Sequence, residues 1–469
     1  MLGNHRAYVV LSALLVAAGL AATADPGKGP SRHEGEVAVY LEPFPSDAGR
    51  LEFRFDQLFA VKEDGTELPL TRSLTEAAGE GVSRSRLLAT GALPPGQYEG
   101  LVIRVSVPTL EGAEGPVKLT PPAAPTRIDA PFRIRKQRAV VLVLRFRFKG
   151  SVGEAYAFTP QFEAQVAVRP AVGRLALATN RGANNVTIFD KISADVVGVI
   201  PTGLAPSGIA LDPRRGRAYV AVSGEDTVIA IGLLEYAVID RAILRGDDEP
   251  VALALAAGGE TLVAVNVGSS TASLIDTSSL TEIERIPVGE EPQSVIVDPT
   301  GTRAFVFNAA SNSISVIDVR NRRLAGTIAT EPGPFFGQFN RAGDVLYVIH
   351  RRSPRLSVID PTALRVTARV YVGPGATALA VDPRSDLVYL SRKGTGTIEI
   401  FDPLALLPVD SFPVKGDVSF MIVDVEQSFL YAAVPDLGEV QVVEVVGNTL
   451  RGRAEVGDAP FWIVVNGEK

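Results

Sequence analysis

From residue 37 onward, short apolar runs alternate with polar turns. No stretch holds the i, i+3, i+4, i+7 spacing that would bury one face of a helix. The segments 37–41, 51–55, 101–105 and 139–148 are the clearest strands of the first part. In Arg145-Phe146-Arg147-Phe148, cation and ring alternate with period two, which sets one face for a core and the other for water. The pattern predicts an antiparallel β-sandwich over residues 37–170.

Beyond residue 170 the pattern becomes periodic. Segments starting at Pro206, Pro250, Pro292, Pro334, Ala376, Val418 and Pro460 align at spacings of 42 or 44 residues. Six positions into each lie Asp212, Ala256, Asp298, Asn340, Asp382, Asp424 and Asn466, three of them followed by proline. Each unit reads as an apolar strand, a turn, a second strand, a polar loop, a third strand, and a fourth strand. Four short antiparallel strands per repeat make a β-propeller blade, whereas a solenoid repeat would need a different order. Residues 175–203 supply strands two to four of a unit that lacks its first strand. Residues 461–466 supply a lone first strand. Together they make a seventh, composite blade, so residues 171–469 are expected to form a seven-bladed ring clasped shut by the C-terminal strand. Closure removes the free sheet edges that an open array would expose.

Two resemblances follow from the wording of these segments. Thr179-Asn180 with Asn185-Val186-Thr187-Ile188-Phe189-Asp190, and Phe305-Val306-Phe307-Asn308 with Ser313-Ile314-Ser315-Val316-Ile317-Asp318, resemble the YVTN repeat of exported bacterial proteins and archaeal surface-layer proteins. That resemblance implies a seven-bladed propeller and no particular activity. The third strand that ends on Glu444 departs from the usual aspartate. In the first part, Leu93-Pro94-Pro95-Gly96-Gln97-Tyr98, the strand 140–144, Ser151-Val152 and Phe158-Thr159-Pro160 resemble an uncharacterised bacterial envelope family. That family has an immunoglobulin- or prealbumin-like sandwich, and the resemblance implies no catalytic residue.

The N-terminus changes the picture of where the chain works. Arg6 precedes an unbroken apolar and small run over residues 8–20, and Ala22-Thr23-Ala24 offers a small-x-small cleavage site. Residues 1–24 therefore read as a secretory signal, and 25–36 as a polar, flexible linker. The run is too short for a membrane anchor, and no later stretch is apolar enough to span a bilayer. The expected location is periplasmic or extracellular.

Composition narrows the chemistry. Among 469 residues there is no cysteine, so disulfides, thiolate metal sites and cysteine nucleophiles are excluded. Three histidines, His5, His33 and His350, leave little for histidine catalysis, and His350 reads as a solvated side chain in a basic loop. The net charge of −7 argues against a nucleic-acid partner.

Propeller topology gathers the loops between strands two and three, and the loops between blades, on one face. There Asp247, Asp248, Glu249, Glu290 and Glu291, with Glu225 and Asp226, would form an acidic rim. Arg351, Arg352, Arg355, Arg392 and Lys393 would form a basic rim across the ring. Three readings stand: ordinary solvated loops, a polarised docking face, or a hard-cation site at Asp247, Asp248 and Glu290. The first strands line the channel, and Phe335, Phe336, Phe420, Phe461 and Trp462 crowd its mouth, either as a plug or as an aromatic platform. The basic strand 133–149 reads as the wet face of a sheet. The resulting expectation is an exported, non-catalytic binding or scaffold protein of the cell envelope. One propeller face would recognise an envelope or extracellular protein or glycan, without cofactor, metal or catalytic residue. A propeller hydrolase of lactonase type is the alternative.

Overall fold

A computed structural model describes residues 34–78, 82–402, 404–405, 407–424 and 426–467. The expected signal, most of the linker, His5 and His33 lie outside the described residues. Among the described residues no helix is long and apolar enough to cross a membrane.

The fold is all-β. Seven four-stranded antiparallel sheets follow one another around a ring, after two larger sheets formed by residues 35–166. Six sheets are continuous: residues 206–243, 250–287, 292–329, 334–371, 376–413 and 420–455, here blades 1 to 6. Blade 7 is composite. The strand Pro460–Val465 pairs with Leu175–Asn180, in the register Ala176 to Val465, Ala178 to Ile463 and Thr179 to Trp462.

The repeat's recurrent residues have physical jobs. Asn180, Asn266 and Asn308 end the second strands of blades 7, 2 and 3. Each side-chain amide donates to the residues five and seven positions on, as Asn266 does to Thr271 Oγ1 (3.0 Å) and Ser273 Oγ (2.9 Å). This pins the second strand to the third inside a dry sheet, where an unpaired amide would be costly. The aspartate closing the third strand turns the chain. Asp360 accepts the Thr362 and Ala363 N–H groups at 2.9 and 2.8 Å, and Asp276 accepts those of Ser278 and Ser279. Blade 6 keeps its four strands although Glu444 replaces that aspartate. Inner strands pack backbone to backbone: a Cβ on Gly208 of blade 1 would meet the Ala252 Cα of blade 2 at 2.6 Å.

The two N-terminal sheets share one apolar core, with Val37, Val39, Leu142 and Leu144 facing Phe53, Phe55, Leu101 and Ile103. The expected all-antiparallel pairing needs correction. The strand Gly35–Leu41 runs antiparallel to Arg86–Leu93 but parallel to Ala139–Arg147, with Val37 opposite Val140. The linker boundary also shifts, because Gly35 and Glu36 already belong to that strand. Arg145 and Arg147 are exposed and paired with Glu42 and Glu163, so the basic strand is a wet sheet face.

The strand Gly35–Leu41 is apolar on both faces because both are covered. Ala38 and Tyr40, with Val141, pack into a cluster with Ala194, Val196 and Val199 of blade 7. Flanking polar contacts reach both neighbouring blades. Arg84 pairs with Glu439 and Glu455 of blade 6, each at 3.2 Å, and Arg86 also pairs with Glu455. Arg138 and Arg169 donate to the Glu235 and Leu234 carbonyls of blade 1 at 3.0 and 2.7 Å. The N-terminal unit therefore straddles the composite blade from outside.

Candidate functional site

The first strands begin at the loop face, so their opening residues ring the channel mouth. There a cavity of about 590 Å³ is lined by residues of blades 3 to 7, among them Phe335, Phe336, Phe420, Phe461 and Trp462. All five expected aromatic residues converge on it. The Phe420 and Trp462 rings lie 4.6 Å apart between centroids, and Phe336 meets both edge-on at 5.5 and 5.7 Å. Phe336 and Phe420 are buried, whereas Phe335, Phe461 and Trp462 are only partly covered. Trp462 also packs against apolar clusters from opposite sides of the ring, so its indole spans the bore. The Trp462 backbone N–H donates to Thr179 Oγ1 at 3.1 Å, and that hydroxyl donates to the Ser207 carbonyl of blade 1 at 2.6 Å. Plug and platform are thus one object: the inner rings close the channel and their outer surfaces floor the cavity.

The expected rims are reshaped by internal pairing. Asp248 does not face solvent. It is buried and receives both Arg285 Nη atoms at 2.6 and 2.7 Å, with Ser269 Oγ at 2.6 Å. Burial alone would raise its carboxyl, but the Arg285, Ser269 and Arg245 hydrogen bonds hold it below the ordinary aspartate range. A hard-cation site on Asp247, Asp248 and Glu290 loses its central ligand to that arginine. Among the described residues no group of three or more histidines, aspartates or glutamates is placed to hold a metal ion. Asp226 is spent on the turn, accepting the Asp247 and Glu249 N–H groups at 3.1 and 2.8 Å. Asp247, Glu249, Glu290 and Glu291 remain exposed on that side.

His350 requires a second correction. It is the last residue of the strand Leu346–His350 and is fully buried, at the position where other blades carry asparagine. Its Nδ1 lies 3.0 Å from the Arg355 carbonyl and its Nε2 lies 3.4 Å from Ser357 Oγ. Burial pushes the imidazole down to about 4, so it is neutral and enclosed rather than a solvated rim group.

Arg392, expected in a loop, likewise ends a strand, Val388–Arg392, and grips Glu399 with two nitrogens. Arg352 donates to the Ala309 carbonyl at 2.5 Å and to Asn312 Oδ1 at 3.2 Å. Arg355 is exposed and does not line the cavity. The cavity's own cations are Arg351, whose guanidinium lies 5.3 Å from the Phe335 ring centre, and Lys393. Neither pairs with a carboxylate within 4 Å among the described residues, and both are exposed.

Three charged residues escaped the sequence reading. Asp417 and Asp436 line the cavity, and Arg181 caps the Phe461 ring at 4.6 Å. Asp436 was findable, since it lies two residues past the end of its blade's second strand, the same offset as Arg352.

Comparison with solved structures gives the same architecture. The chain is similar to hydrazine synthase of Kuenenia stuttgartiensis, at 18% identity and a TM-score of 0.53, over 58% of this chain and 92% of that one. It is similar to a functionally unknown protein of Desulfotomaculum acetoxidans, at 12% identity and a TM-score of 0.56, over 63% and 100%. It is also similar to a putative 6-phosphogluconolactonase of Bacteroides fragilis, at 14% identity and a TM-score of 0.52, over 63% and 99%. At such identities the shared property is the propeller fold. No protein-family model and no curated protein matches the chain.

Proposed function

We propose that this protein is an exported binding module of the YVTN-propeller type, acting in the periplasm or outside the cell, with the channel mouth as its recognition site. The observation that carries this reading is the convergence of five aromatic side chains, Arg351 and Lys393 on one open cavity of about 590 Å³. That volume falls within the roughly 300–1,000 Å³ of small-ligand sites, and a mainly apolar wall with a few polar groups is their usual chemistry. The exposed carboxylates Asp247, Glu249, Glu290 and Glu291 lie beyond the cavity, where they would steer a larger partner rather than hold a small one. The N-terminal sheets serve as a brace and attachment unit. The partner is an envelope or extracellular protein or glycan that inserts an apolar group into the mouth.

The lactonase-type alternative rests on fold likeness, and His350, the histidine on which a hydrolase would be built, is enclosed. The test is binding of the purified protein to peptide and glycan arrays, compared with a Phe461→Ala, Arg351→Glu double variant. Signals lost in the variant support the reading. Signals unchanged, or turnover of a lactone panel by the parent protein, overturn it.

A further inference from the structure

The charges of the cavity are ordered around its wall. Arg351 belongs to blade 4 and Lys393 to blade 5; Asp417 lies in the connection from blade 5 to blade 6, and Asp436 in blade 6. In angular order the wall runs cation, cation, anion, anion, with the rings of Phe336, Phe420 and Trp462 as the floor. Asp417 accepts the Gly394 N–H at 2.6 Å, which ties its carboxylate to the blade 5 loop that carries Lys393. Asp436 is exposed in the turn Pro435–Leu437.

A lone anion would meet two aspartates, and a lone cation would meet Arg351 and Lys393. Like-charge contact in a partly dry site is what excludes such ligands. A molecule with separated opposite charges on an apolar body meets a favourable group at each end. We infer that the cavity takes a zwitterion with an apolar body, and that its ligand is of the short-peptide class. The free carboxylate lies toward Arg351 and Lys393, the free ammonium toward Asp417 and Asp436, and an apolar side chain lies on the indole. Arginine and lysine both suit a carboxylate, the first through its forked donors. The ammonium gains further from the neighbouring aromatic faces. A volume of about 590 Å³ exceeds what one amino acid fills and suits two or three residues. This inference rests on the proposed recognition site.

The chain contains one tryptophan, and it forms the cavity floor, so its emission reports occupancy without a label. The full-length protein is titrated with the dipeptide phenylalanyl-leucine, with the same dipeptide acetylated and amidated at its ends, with neutral benzyl alcohol, and with a neutral disaccharide. The free dipeptide is expected to bind at least about tenfold more tightly than its blocked form, a ratio within reach of one well-placed charge contact. That advantage should fall in an Arg351→Gln, Lys393→Gln variant and in Asp436→Asn. All three positions are exposed, and unchanged thermal unfolding checks the variants. Equal binding of the blocked dipeptide, or tighter binding of the disaccharide, overturns the zwitterion inference while leaving the site in place. No emission change with any of the four probes overturns the recognition site as well.

Discussion

The C-terminal strand Pro460–Val465 has two ends in unlike surroundings. At the lower end the buried charges are paired with one another. Lys191, only 1% exposed, places its ammonium 2.6 Å from the Asn466 carbonyl, 3.0 Å from Asp424 and 2.9 Å from Glu426. The Tyr431 hydroxyl donates to the Lys191 carbonyl at 2.8 Å. This knot joins the third strand of blade 7, the first strand of blade 6 and the clasping strand, so it fixes the ring where its two chain segments meet. At the upper end, Phe461 and Trp462 are only partly covered, and Arg351 and Lys393 beside them are exposed along the cavity wall. One strand thus closes the ring below and presents a surface above. A satisfied buried network resists change, while a half-exposed aromatic floor retains area that a ligand can cover.

Removing the strand altogether has the largest effect. Deleting residues 461–469 takes away Ile463, Val464 and Val465, all buried, and exposes the edge of Leu175–Asn180. The expected loss is on the order of a domain's whole stability, about 5–15 kcal/mol, read as collapse of the thermal transition. An unchanged transition would show that the composite blade does not carry closure. Single changes at the two ends come next. Lys191→Met leaves Asp424 buried without its cation and should cost about 3–5 kcal/mol. Trp462→Ala should cost a similar amount by opening a void in the bore. Denaturant midpoints give both sizes, and indole emission separates them. The lysine variant, still folded at low denaturant, should keep the parent emission spectrum, since its change lies at the far end of the strand.

What was legible in the sequence follows from the same contrast. The repeat spacing, the composite blade and the aromatic mouth could be read because each depends on periodicity or on local residue type. Asp-Pro turns recur at fixed offsets, and Phe335-Phe336, Phe420 and Phe461-Trp462 stand out where the remaining first strands open mostly on small or polar residues. The fate of individual charges was not legible. Asp248 and Glu249 are adjacent and alike in sequence, yet one is buried under Arg285 and the other faces water. Arg351 and Arg392 differ by one position relative to their strand ends, and that step decides which is free and which grips Glu399. The parallel pairing of Gly35–Leu41 was hidden as well, because an apolar strand covered on both faces carries no alternation from which to infer its neighbours. Lys191 carries no local signal of its role, since its partners lie more than 230 positions away.

A buried histidine at an asparagine position makes one blade sensitive to acid. The His350 imidazole is held near 4 by burial, against an ordinary value of about 6.5 in an unfolded chain. Above that upper value neither state is protonated and its contribution to stability is complete. As pH falls from about 6.5 toward 4, the unfolded chain takes up the proton first, and up to about 3 kcal/mol is lost. Denaturant midpoints measured on either side of the window should show this fall. His350→Asn should flatten it, because asparagine fills the same position in blades 2, 3 and 7 with intact hydrogen bonds to the third strand. A parent and variant with identical acid profiles would mean that other groups govern the fall. Glu36, at the junction of the N-terminal sheets with the ring, bears the opposite sign. Burial raises its carboxyl to about 7, so the stability it permits is complete at low pH and declines as pH rises through that value.

The smallest expected effect is the sharpest probe of the upper end. Arg392→Gln strips Glu399 of its two-nitrogen grip between two partly covered side chains, and should cost about 1 kcal/mol. Arg351→Gln removes a cation with no carboxylate partner among the described residues and should stay within about 0.5 kcal/mol of the parent. The two residues carry the same charge on neighbouring blades, so a difference between their unfolding midpoints isolates what internal pairing contributes. If Arg351→Gln were as costly as Arg392→Gln, its guanidinium would be part of the fold's own bonding. The cavity would then have one cation available to a ligand rather than two.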